Sequence, residues 1–204
     1  ISPDGKWLVA ANNYRDILLS DADNPSQTNY LKTIGANYQQ HQSIAFTRDS
    51  RTMAVFGQNE IQLIDVLSKR NVKTIAVNGT YINTNPQVGG INADGSVLFT
   101  TYDVSNTGKH HVTAISSVSG LPLWDKEFDG NISFLKLGEI ENNLFVGYKS
   151  FTGNTVPVLA TLNPQSGDII NTVNFPSRLA DVVAMNTKNT MLCTISGQFG
   201  QRWD

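Results

Sequence analysis

Few side chains in these 204 residues could do chemistry, and their spacing keeps them apart. Two of the three histidines are neighbours, His110 and His111. Successive strand residues point to opposite faces, so the pair cannot readily share one metal ion. They follow Asn106-Thr107-Gly108-Lys109 and read as an exposed polar loop tip. His41 stands in the polar run Gln39-Gln40-His41-Gln42, just ahead of a strand, and a lone histidine is a weak ligand set. Cys193, close to Leu192 and Ile195, reads as a buried strand thiol. As the single cysteine it excludes an intramolecular disulfide and any multi-cysteine metal site.

The carboxylates divide into two kinds. Asp21 and Asp65 follow short apolar runs and are expected to accept hydrogen bonds from turn amides. Asp181 sits inside an otherwise apolar run, residues 179–185, and is the acid most open to a chemical role, although a structural one is the simpler reading. One acid and a distant histidine do not make a hydrolytic or metal site. The expectation is no catalytic residue, no metal and no cofactor. Tyr14, Tyr30, Tyr38 and Tyr81 fall near loops or strand ends, where tyrosine serves interfaces through its apolar face and polar tip. Some of them are expected only to cover strand edges.

The elements that position these residues recur. Pro3-Asp4-Gly5-Lys6, Arg48-Asp49-Ser50-Arg51 and Ala93-Asp94-Gly95-Ser96 are versions of one turn, 45 residues apart at each step. Degenerate copies follow at Glu141-Asn142-Asn143-Leu144 and Thr187-Lys188-Asn189-Thr190. Asp-Gly supplies the positive φ that a tight hairpin demands. A period of about 40–50 residues with turns between short strands predicts an all-β chain, a β-propeller with four-stranded antiparallel blades. The second unit shows the pattern in full, with strands over 43–46, 52–56, 61–65 and 72–77.

Five units result, approximately 1–34, 42–78, 87–128, 131–175 and 179–204, read as one domain. The first has no innermost strand and the last no outermost one, which gives three complete and two partial blades. Exposed blade faces invite association, so the expectation is a larger propeller of about six to eight blades. In a propeller, Asp181 would stand on an innermost strand and His41 at a channel mouth.

Composition limits the partners. Charged residues are 16% and the net charge is −2, with no run of like charges, so no footprint for nucleic acid is visible. No apolar stretch approaches the ~20 residues that span a bilayer.

Two stretches carry a family resemblance. Ile61-Gln62-Leu63-Ile64-Asp65, Thr74-Ile75-Ala76-Val77, Ile91-Asn92-Ala93-Asp94-Gly95-Ser96 and Leu98-Phe99 resemble the YVTN-type repeat. Ala114-Ile115-Ser116-Ser117-Val118-Ser119-Gly120 followed by Trp124 is similar to the tryptophan-docking repeat of quinoprotein-like propellers, relatives of the WD40 repeat. The turn recurs at Thr161-Leu162-Asn163-Pro164-Gln165-Ser166-Gly167, with Asn171 in place of the tryptophan. The Gly-His dipeptide of WD40 units is absent. The resemblance implies a tryptophan packed between blades and an exported, periplasmic or extracellular setting. The functional expectation is a non-enzymatic scaffold that binds other proteins or further blades. The alternative is a propeller enzyme, quinoprotein dehydrogenase-like or lactonase-like, with its site in the central channel.

Overall fold

A computed structural model describes residues 1–11, 16–26, 28–32, 43–57, 60–77, 89–104, 107, 109–138, 143–150, 157–174, 182–185, 192–196 and 199–203. Eighteen strands in these residues form five antiparallel meanders. The first sheet holds β1 (Trp7–Ala11), β2 (Asp16–Asp21) and β3 (Thr28–Lys32). The second holds β4 (Ser43–Phe46), β5 (Thr52–Phe56), β6 (Glu60–Asp65) and β7 (Arg70–Ala76). The third holds β8 (Gly89–Ile91), β9 (Val97–Val104), β10 (Lys109–Ser116) and β11 (Pro122–Phe128). The fourth holds β12 (Gly130–Leu137), β13 (Leu144–Ser150), β14 (Pro157–Leu162) and β15 (Ile169–Asn174). The fifth holds β16 (Val182–Met185), β17 (Leu192–Ser196) and β18 (Phe199–Trp203). Three four-stranded and two three-stranded sheets are the blade inventory that the turn spacing predicts.

Both faces of the central strands are buried, which explains their nearly continuous apolar sequence. On β5, Met53 and Val55 join Ile17 and Leu19 in a core between the first and second sheets. Ala54 and Phe56, one residue out of phase, join Ile61, Leu63, Leu98 and Ile115 between the second and third. A third core, with Phe99, Val112, Leu144 and Ala160, lies between the third and fourth. The period-2 alternation of a strand thus assigns each residue to one of two neighbouring sheets.

The three clear turn copies share one hydrogen-bond design. Asp4 Oδ1 accepts from the Ser2 hydroxyl at 2.6 Å and the Lys6 amide at 3.1 Å. Asp49 Oδ1 accepts from the Thr47 hydroxyl at 2.7 Å and the Arg51 amide at 3.1 Å. Asp94 Oδ1 accepts from the Ser96 hydroxyl at 2.6 Å and its amide at 2.9 Å. Neighbouring turns are also tied to each other, by Asp4 N to Ser50 Oγ at 3.1 Å and Arg48 N to Ala93 O at 3.2 Å.

These bonds favour the charged carboxylate, the hydroxyl donor first in each case, and hold Asp4, Asp49 and Asp94 below their ordinary value of 3.8. A depressed folded value contributes stability above the unfolded one, and that contribution disappears as pH falls through the folded one. Thermal melts should therefore show a loss of stability setting in below about pH 4. The triple variant D4N/D49N/D94N is expected to melt lower at neutral pH and to respond less to acid. An equally steep acid limb in that variant would rule out these turns as its source.

The turns leading into β7, β11 and β15 each place one residue at positive φ: Lys69 at 58°, Gly120 at 74° and Gly167 at 75°. Lysine is strained there by about 1 kcal/mol, and its ammonium lies 5.9 Å from the centre of the Trp7 ring. Lys69→Gly is expected to stabilise by about 0.5 kcal/mol net, a rise in Tm of about 1–2 °C. A lower Tm would show that the contact with Trp7 outweighs the strain.

Candidate functional site

The five residues singled out as channel or interaction candidates, Asp181, His41, Tyr14, Tyr38 and Tyr81, lie outside the described residues. Asp21 and Asp65 are placed as expected: Asp21 Oδ1 accepts from the Asp23 amide at 2.9 Å, and Asp65 Oδ1 from the Ser68 amide at 2.7 Å.

The histidine pair requires a correction. His110 and His111 do not form an exposed loop tip but lie on β10, paired with Asp103 and Tyr102 of β9. They face opposite ways, as adjacent strand residues must. His110 is buried and its Nδ1 meets Asp103 Oδ1. On the other face His111 Nδ1 lies 2.5 Å from Asp125 Oδ1, and its ring stacks on Tyr102 at 4.7 Å. The Tyr102 hydroxyl donates to Asp125 Oδ2 at 2.7 Å. Burial first, and then the Asp125 carboxylate, push the Tyr102 phenol well above its ordinary range. Lys109 Nζ lies 2.6 Å from Glu127 Oε1 and holds Glu127 below its ordinary value.

This cluster has oriented acids and bases, yet its bonds are mutual: Asp125 is shared by Tyr102 and His111, Glu127 by Lys109. Among the described residues no three or more His, Cys, Asp or Glu side chains are grouped to hold a metal ion. Its chemistry is that of cross-strand pairing, which fixes the far end of the third sheet. The signal for it lay in Tyr102-Asp103 and Asp125-Lys126-Glu127, acids spaced to face the histidines once β9 and β11 are extended.

Trp124 joins two blades. Its indole Nε1 donates to Pro164 O at 2.8 Å, in the turn between β14 and β15 of the next sheet. Gly167 of that turn presents a bare backbone to the ring, for a Cβ there would stand 2.7 Å from the nearest indole carbon. Lys73 occupies the equivalent place on β7, four residues after Lys69 as Trp124 is after Gly120. Its ammonium donates to Val118 O at 2.5 Å, in the corresponding turn of the third sheet. One strand position therefore fastens successive sheets by either an indole or an ammonium.

The same turns expose large apolar side chains. Leu67 is 70% exposed and Val118 79%, each two residues beyond the strand that precedes it. Val72, Leu121 and Leu123 are exposed nearby in sequence. The turn side of each sheet is one surface, since Val66 N donates to Arg51 O and Ser117 N to Ser96 O, both at 2.9 Å.

No protein-family model matches this chain, and no curated protein sequence matches it. Among solved structures it is similar to the β-propeller domain of Cps50 (Swd1) from Myceliophteria thermophila, with a TM-score of 0.68 at 8% identity. The match covers 95% of this chain and 60% of that one, so the chain spans about three fifths of that domain's length. At this identity the likeness speaks for the fold alone. Together with five antiparallel meanders, the first four of them packed face to face, it makes the fold a β-propeller.

Proposed function

We propose that this chain is a non-enzymatic interaction propeller whose surface binds other proteins. The observation that carries the reading is how the turns use their side chains. Their carboxylates are engaged within the turns themselves, while Leu67 and Val118 are presented to solvent. Exposed apolar groups on a stiff frame are the material of interfaces.

Membership of the YVTN and quinoprotein-like superfamily is part of the proposal, supported by the Trp124 seat on Pro164 and Gly167. So is a parent propeller with further blades. Leu8 on β1 is 38% exposed, whereas Met53 and Leu98, its counterparts in the second and third sheets, are both 0% exposed. A further sheet would cover Leu8 as the neighbours cover those two. An exported setting rests on the repeat resemblance, and fractionation of the native cells tests it.

The interaction reading is tested by cross-linking and affinity purification of the full-length native protein. A stoichiometric protein partner is the expected result. Turnover of lactones or alcohols by the purified protein, with no partner recovered, would overturn it.

A further inference from the structure

The turn side of the second sheet is positively charged in a chain whose net charge is −2. Arg48, Arg51, Lys69, Arg70 and Lys73 stand there against Asp49 and Asp65, with Asp94 in the adjoining turn to which Arg48 N is bonded, five cations to three carboxylates. None of the five is in an ion pair among the described residues; the ion pairs there all belong to the third sheet. The Arg51 charge acts on both Asp49 and Asp65. Lys73 is held by the Val118 carbonyl. Lys69 lies over the Trp7 ring, and Arg48 and Arg70 are exposed.

Apolar groups accompany them. Leu67 stands two residues before Lys69, and Val66 is bonded to Arg51. The Lys73 ammonium bridges this surface to the turn that carries Val118, which among the described residues is the most exposed large apolar side chain, at 79%. Leu121 in that turn, Val72 on β7 and Leu123 on β11 add to the exposed apolar groups of the same two sheets, between 56% and 65% exposed.

We infer that this basic and apolar rim of the second and third sheets is a docking surface for an acidic protein segment with interleaved aliphatic or aromatic side chains. Charge complementarity selects the acid, and the aliphatic side chains give it apolar contact that a phosphate backbone would not use. The inference rests on the interaction reading above and names the partner's chemistry.

The probe is a fluorescent peptide of alternating aspartate and leucine, followed by anisotropy, with a lysine–leucine peptide and a single-stranded oligonucleotide for comparison. The acidic peptide is expected to bind, more weakly as salt rises, and neither comparison to bind comparably. R48E/R70E and L67S/V118S change only exposed side chains, and unchanged melting curves would confirm that both variants fold. Each is expected to weaken binding by about tenfold or more. The proposal is overturned if the acidic peptide does not bind, if both variants bind it as the parent does, or if the oligonucleotide binds as well. A native partner retained by R48E/R70E would also overturn it, while leaving the interaction reading in place.

Discussion

Gly89→Ala is expected to destabilise the fold by about 3 kcal/mol, the upper end of what overpacking a core costs. A Cβ on Gly89 would overlap the Phe56 ring. Phe56 is 0% exposed and sits in the core between the second and third sheets, so it has nowhere to move. The strand around Gly89 is fixed as well, for the Ser43 hydroxyl donates to Gly89 O at 3.1 Å and ties β4 to β8. Urea denaturation should show a lower midpoint with an unchanged slope. Phe56→Leu in the same chain should recover part of the loss, giving a favourable coupling of about 1 kcal/mol in a double-mutant cycle. An unchanged midpoint for Gly89→Ala would contradict the close approach of these two sheets.

Trp124→Ala is expected to cost about 2–3 kcal/mol, less than a fully buried tryptophan because the side chain is only partly buried. The substitution removes the bond to Pro164 O, the seat on Gly167 and the tilted contact with Phe99 at 6.1 Å. Trp124→Phe keeps most of the ring and loses the donor, so about 1 kcal/mol is expected. Gly167→Ala attacks the same joint from the other side, combining a positive φ of 75° with overlap on the indole. Its cost should be about 2 kcal/mol. If the two residues form one joint, W124A/G167A will lose clearly less than the two single changes together. Strict additivity would mean that the indole and the turn act independently.

The blades were legible because their turns are chemically local. Asp4, Asp49 and Asp94 each bond an amide two residues on, so residue type at short spacing carries the whole signal. Two strands of the second sheet are equally readable: β4 and β5 fall on the expected residues, and on β5 burial on both faces leaves an unbroken apolar run. The long strands of the third sheet are not. β9 extends to Val104 and β10 begins at Lys109, because polar residues there are stabilised by partners on neighbouring strands. His110 and His111 look like loop residues until Asp103 and Asp125 stand opposite them. The place of Trp124 follows from its distance to Gly120, whereas its bond to Pro164, 40 residues away, belongs to the folded chain. The rim of Leu67, Val118 and the basic side chains was missed, since a turn with one apolar residue is unremarkable until two adjacent sheets repeat it.

The ties between sheets have a consequence for how such a chain can change length. Asp4 to Ser50, Ser43 to Gly89, Lys73 to Val118 and Trp124 to Pro164 span 46, 46, 45 and 40 residues, and each reaches only the adjoining unit. A tandem duplication of the whole second unit would therefore give the new copy the donors Ser43 and Lys73 towards one neighbour and the acceptor Ser50 towards the other. A duplication of half a unit would orphan both. Genes for chains of this kind can lengthen or shorten by whole blades, and the grammar that permits it is written in bonds that never look further than the next repeat.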